Sequence, residues 1–335
     1  MSNLNTHDVL FINSPEFKDF QSALEHTYNF KMQTARLPEH ISFTSRKVLI
    51  DTDKGTFFLK EKPLYCSGEF ESKLAADFQK FISSNLNIVP KPVQTVFNDS
   101  YFVWGGRLYF LTQYLQGRVY NGSIHDLRQI LEVLGTFRAV AREYISDSKP
   151  FEPFDLLVPL AYIHANTQED GKVLKTAEKI LIDLKQKYKA LRPTLYAVAH
   201  GDFSIFNVLF NEGGVVALND FDNAKKLPAV QDLAEFLVSS TLVNYVAPLS
   251  NLKHPVYVTP HTASFDTVLT YFAKLNLTPD DWARVALQAE IAWFDLLTLA
   301  VVKGDYTLRD IAPALECIGA HTLRAKIIRF FDTIN

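Results

Sequence analysis

The sequence predicts an α+β chain, strand-rich as far as Gly117 and mostly helical beyond it. Two hairpin signals carry the first part. Asp51-Thr52-Asp53-Lys54-Gly55 separates the apolar runs 41–50 and 56–60, and Gly105-Gly106 separates 100–104 from 107–113. After Gly117, long segments carry apolar residues at helical spacing. This shift in composition sets the expected division, an N-terminal lobe over 1–116 and a helical C-terminal lobe over 117–335. A chain of 335 residues, 47% of them hydrophobic, is large enough to give each lobe a core.

In chain order, 16–28 places Phe17, Phe20 and Leu24 at helix spacing behind Ser14 and Pro15, which suit a helix start. The strands 41–50 and 56–60 follow, and Lys60 ends the apolar run Phe57-Phe58-Leu59. Taken alone, such a lysine reads as an edge-strand side chain snorkelling to water. Segment 69–83 lines up Phe70, Leu74, Phe78 and Phe81 as one face of a helix. Strands 100–104 and 107–113 come next, then an amphipathic helix over 124–144 with Leu127, Ile130, Leu131, Leu134, Phe137 and Val140 inward. The Lys-rich helix 172–191 reads as a solvated surface element. Short apolar strands at 195–199, 208–210 and 215–218 lead to a helix opening at Asp232, and helices over 265–275, 280–302 and 308–331 complete the chain.

The chemistry concentrates in His200-Gly201-Asp202-Phe203-Ser204-Ile205-Phe206-Asn207, with Asp220-Phe221-Asp222 following thirteen residues after Asn207. These polar residues fall at strand ends, where a rigid scaffold can present them. Two turns with self-capping Asx side chains would explain the letters blandly. The set is also what phosphoryl transfer needs: an Asp to receive a hydroxyl proton, and an Asn and an Asp on Mg²⁺. Only eleven residues separate Asp220 from Asp232, and no Ala-Pro-Glu-type segment follows. A protein substrate would lack its docking platform, so a small hydroxyl compound is favoured.

The run 198–237 resembles the aminoglycoside phosphotransferase and choline kinase superfamily. It shows the His-Gly-Asp loop, an Asn five residues on, an Asp-x-Asp metal loop, and Pro228 ahead of Asp232-Leu233-Ala234. A looser resemblance over about 40–300 is to the spore-coat kinase-like branch. The resemblance implies a bilobal protein-kinase-like fold, with a small antiparallel-sheet N-lobe and a mostly helical C-lobe. It implies Asp202 as catalytic base, Asn207 and Asp220 as Mg²⁺ ligands, and His200 and Asp232 as supports of the loop. Asp222 is assigned to metal or substrate. In this context Lys60 becomes the lysine on the α- and β-phosphates of ATP, with GTP as the alternative nucleotide. The helix carboxylate facing such a lysine would fall near Ala75; Glu71, four residues earlier on the same face, is chosen over Asp77. Ser42, Thr44 and Ser45 would cover the phosphates, although a plain strand turn explains them equally. The Gln113 carbonyl and Leu115 amide would meet adenine. Position 138, usually His in the family, is Arg138 here.

For the acceptor, Glu290, Trp293, Phe294 and Asp295 cluster on 280–302 and could receive a cation, since aromatic faces attract quaternary ammonium groups. The flanking apolar residues favour a buried core helix there. Asp155, Tyr162 and His164 are further candidates. The acceptors implied are an amino alcohol, an amino acid, a sugar or an aminoglycoside. The competing reading is a non-catalytic kinase-like binding or scaffold protein.

Other classes are disfavoured. The chain has no G-x-G-x-x-G, no G-x-x-x-x-G-K-[ST], no G-x-S-x-G and no His/Cys metal motif. A formal charge of −3 announces no nucleic-acid face. Cys66 and Cys317, far apart in the chain, read as free thiols. The polar N-terminus and the absence of an uninterrupted eighteen-residue apolar stretch predict a cytoplasmic protein without a membrane segment. Oligomeric state is left open.

Overall fold

The computed structural model describes residues 12, 14–38, 47–62, 69–152, 154, 171–192, 194–242, 262–302 and 306–334. The chain forms two compact units, Met1–Arg118 with Leu209–Ala224, and Val119–Val208 with Lys225–Asn335. Relative to the cut expected at 116/117, residues 117–118 and the segment 209–224, which follows the His200–Asn207 loop in sequence, group with the first unit.

In the first unit, helix α1 (Pro15–Tyr28) starts where Ser14 accepts the Phe17 amide and ends at Asn29 in the left-handed region. The strands β1 (Met32–Arg36), β2 (Lys47–Thr52), β3 (Gly55–Lys62), β4 (Phe102–Trp104) and β5 (Arg107–Gln113) form an antiparallel sheet in the order β1-β2-β3-β5-β4. Strand β1 carries no apolar alternation and so has no strand signal in its residues. Val48, Ile50, Leu59, Tyr109 and Leu111 share one sheet face and bury against Phe17, Phe20 and Leu24 of α1. Because side chains alternate along a strand, the neighbours Lys47 and Lys60 take the other face.

Helix α2 (Glu69–Asn85) packs on the short 3₁₀ turn Phe221–Asn223 through Phe78 and Phe221, whose rings lie 6.1 Å apart. A smaller sheet has the order β6-β8-β9, from β6 (Arg118–Val119), β8 (Val208–Asn211) and β9 (Gly214–Leu218).

The second unit is mostly helical: α3 (Ile124–Ala141), α4 (Gly171–Ala190), α5 (Gln231–Thr241), α6 (Thr262–Phe272), α7 (Pro279–Val302), α8 (Leu308–Gly319) and α9 (Thr322–Ile334). Segment 225–228, assigned no element from sequence, is strand β10 (Lys225–Pro228), antiparallel to β7 (Tyr196–Ala199). The single helix expected over 308–331 is two. Gly319 ends α8, His321 turns left-handed at φ 53°, and Thr322 starts α9. Among the described residues α7 alone is long and apolar enough to cross a membrane, but most of it is buried in the unit, with Trp282, Trp293 and Phe294 at its core.

Candidate active site

Each unit carries half of the predicted chemistry. In the first, the β2–β3 register sets Lys47 directly opposite Lys60. The turn after β9 brings Asp220 and Asp222 to them. Lys60 Nζ lies 2.5 Å from Asp220 Oδ1 and 2.6 Å from Asp222 Oδ2, and Lys47 Nζ lies 3.6 Å from Asp220 Oδ2. Both lysines are buried, 5% exposed for Lys47 and 8% for Lys60.

Burial pulls Lys60 toward its neutral form, but Asp220 and Asp222 outweigh that and hold its pKa above the ordinary lysine value. Burial, then the charge of Lys60, pushes Lys47 down to about 8, with Asp220 and Asp222 only partly restoring it. Of two like charges sharing two carboxylates, the proton leaves Lys47 first. Asp220 itself sits at φ 67°, ψ 59°, a left-handed conformation that costs a non-glycine residue on the order of 1 kcal/mol and is characteristic of functional turns.

In the second unit, the buried carboxylate of Asp232, near the start of α5, organises the other half. Its Oδ2 accepts the His200 amide and its Oδ1 the Gly201 amide, both at 3.0 Å. Gly201 stands at φ 74°, so a residue with a Cβ would be strained there. The His200 ring is fully buried edge-on to Phe137 and Phe203, centroids 6.0 and 5.8 Å away. Phe203 also packs on Phe236 of α5. Asp202 follows, half-buried, and Asn207 Nδ2 donates to its backbone oxygen at 2.9 Å and its Oδ2 at 3.0 Å. That bond fixes the amide so that its oxygen is the atom turned toward other partners.

Glu235, one turn after Asp232 on α5, was not singled out by the sequence. It is half-buried and accepts from Gln231 Nε2 at 2.7 Å. Burial raises its carboxyl well above the usual range, and the charges of Asp202 and Asp295 raise it further. Glu235, Asp202 and Asp295 therefore share one acidic neighbourhood, drawn from α5, the His200–Asn207 loop and α7. Lys47 was missed as well. No motif flags it, because only strand register pairs it with Lys60.

A family model described as the phosphotransferase enzyme family matches residues 39–250, which include both halves. The chain belongs to the phosphotransferase enzyme family. No curated protein matches its sequence significantly. Among solved structures, this phosphotransferase is similar to amicoumacin kinase hAmiN bound to AMP-PNP, Ca²⁺ and Ami, at 18% identity and TM-score 0.66, over 96% of this chain and 95% of that one. It is similar to an aminoglycoside phosphotransferase from Alicyclobacillus acidocaldarius at 15% identity and TM-score 0.60, over 92% and 96%. It is also similar to spectinomycin phosphotransferase APH(9)-Ia with ADP and spectinomycin at 12% and 0.56, over 91% and 98%. At these identities the likeness establishes the kinase-like α+β fold. The non-catalytic reading gains no support from the family or from these structures.

The remaining candidates of this phosphotransferase are placed as follows. Gln113 closes β5 and its amide donates to the Lys91 carbonyl at 2.9 Å, with Leu115 half-buried two residues on. Glu290 is fully buried on α7; its Oε2 lies 2.7 Å from His321 Nδ1 and its Oε1 accepts the Arg324 amide at 3.2 Å, which holds the corner between α8 and α9. Trp293 is 1% exposed within the core, while Asp295 is half-buried. Ser42, Thr44, Ser45, Asp155, Tyr162, His164 and the side chain of Glu71 lie outside the described residues.

Proposed function

We propose that this chain transfers the γ-phosphoryl group of ATP, with Mg²⁺, to a hydroxyl of a small molecule. The observation that carries it is the half-buried Asp202, bonded by Asn207 in a loop suspended from the Asp232 carboxylate. A general base must be held in place yet reachable by substrate. Asp202 would take the hydroxyl proton. The donor set fits magnesium, a hard cation bound by oxygen: the Asn207 amide oxygen and the Asp220 carboxylate would be its ligands, with Asp222 as a further carboxylate. The bound metal supplies neutralisation of charge on the terminal phosphates. Lys60 would hold the α- and β-phosphates, and the Gln113 carbonyl and Leu115 amide the base, GTP being the alternative nucleotide. Of the acceptors considered, the acidic neighbourhood of Asp202, Glu235 and Asp295 supports those carrying an amine, an amino alcohol, an amino acid or an aminoglycoside, over a neutral sugar.

ADP release across a panel of amino alcohols, amino acids, sugars and aminoglycosides tests the reading. Turnover of the best acceptor is expected to fall about 10²–10⁴-fold in Asp202→Asn, with nucleotide-dependent thermal stabilisation retained. No stabilisation by millimolar ATP or GTP with Mg²⁺, together with no ADP release over the panel, would overturn it.

A further inference from the structure

Lys47 is a costly residue for its position. The next three residues of β2, Val48, Leu49 and Ile50, are apolar and buried, and a like-charged pair directly opposite across strands is unfavourable. Burying a second ammonium group costs several kcal/mol unless it is well paired. Yet its pairing is the looser one: Lys47 stands 3.6 Å from Asp220, whereas Lys60 makes close contacts to Asp220 and Asp222. The four side chains bring two cations and two anions together, the lysines standing on the sheet face opposite the α1 core. A divalent cation arriving alone at Asp220 would leave two buried ammonium groups facing each other with the Asp222 carboxylate as their one remaining partner in this group of four. A polyphosphate offers both of them new oxygen acceptors, and its negative charge exceeds what Lys60 alone can neutralise.

We propose that Lys47 is a second polyphosphate-binding lysine, and that Lys47 and Lys60 together keep the Asp220 carboxylate closed to a divalent cation until nucleotide phosphates draw them off. The inference rests on the nucleotide-dependent reading of the site. It makes metal binding conditional on nucleotide, through this chain's own strand register.

Thermal-shift titrations of the full chain with ADP, adenosine and Mn²⁺ test it. Lys47→Met, which keeps the apolar stem, is expected to weaken ADP at least about ten-fold and adenosine less than about two-fold, with Lys47→Arg recovering most of the loss. In the unaltered protein Mn²⁺ alone should leave the melting temperature unchanged, while Mn²⁺ with ADP raises it above ADP alone. This arm needs no variant, so it stands even if Lys47→Met folds poorly. If Lys47→Met binds ADP as tightly as the unaltered protein while Lys60→Met does not, Lys47 only balances the second carboxylate and the proposal fails. Stabilisation by Mn²⁺ alone overturns it too. An unaltered protein that binds neither ADP, ATP nor GTP instead removes the nucleotide reading underneath.

Discussion

Replacing Asp232 with alanine removes the acceptor for two amides, those of His200 and Gly201, both held at 3.0 Å by a side chain 3% exposed. A hydrogen bond to a charged group contributes about 1.5–3 kcal/mol. Losing two would cost roughly 3–6 kcal/mol on that count. Two effects shift the sum in opposite directions. Burial raises the Asp232 carboxyl, which means the native residue carries a desolvation cost that alanine does not. The carboxylate also lies in the first turn of α5, where the helix dipole contributes about 0.3–1 kcal/mol. The net expectation is a loss of about 2–4 kcal/mol. Asp232→Asn keeps one acceptor oxygen and turns an NH₂ toward the other amide, so about 1–3 kcal/mol is expected there. Urea unfolding followed by tryptophan fluorescence measures this, because Trp282 and Trp293 are both buried in the second unit. If Asp232→Ala unfolds within about 0.5 kcal/mol of the unaltered protein, the loop is not suspended from this carboxylate.

Glu235 binds its proton more tightly folded than unfolded, so its stabilising contribution is complete below its unfolded value of 4.5 and is lost as pH rises through its raised folded value. The melting-temperature advantage of Glu235→Gln should therefore grow from pH 4.5 upward; a difference that stays flat to pH 8 counts against the acidic neighbourhood. Gly117→Ala would set a Cβ 2.9 Å from Leu209 Cβ and 2.9 Å from the Phe210 oxygen, and should cost about 1–3 kcal/mol by overpacking. Calorimetry that finds it neutral would refute that close approach. Trp293→Ala should cost about 3–5 kcal/mol in urea unfolding, because the ring fills core. Stability left intact, with only acceptor KM changed, would return Trp293 to the list of acceptor contacts.

Much of the fold was legible because it is written locally. The Asp53-Lys54-Gly55 and Gly105-Gly106 turns and the apolar alternation beside them mark β2, β3, β4 and β5. The 3.6-residue period marks α1, α2, α3 and α7. Strands β1 and β10 escaped because they are short and their side chains give no alternation, so only pairing to β2 and β7 defines them. The corner at His321 escaped because Gly319 is followed by ordinary helix formers, and the break is held from a distance by Glu290. Glu290 and Trp293 look alike in sequence as acceptor candidates and as core, since both sit on an apolar helix. Helix packing around α7 placed both in the interior.

By itself the sequence determined the local residue pattern of this phosphotransferase: a loop carrying Asp202 and Asn207, a turn carrying Asp220 and Asp222, Lys60 on a strand, and the short connection to Asp232. These are contiguous or closely spaced, so the residue pattern shows them without reference to the rest of the chain. Only the tertiary structure decided which charges meet. Lys47 faces Lys60 and Asp220 because a hairpin register and the turn after β9 bring them together across 160 residues between Lys60 and Asp220. Glu235 and Asp295 gather near Asp202 because α5 and α7 pack in one unit. Electrostatic partnership depends on distance and burial in space, and neither is a property of spacing along the chain.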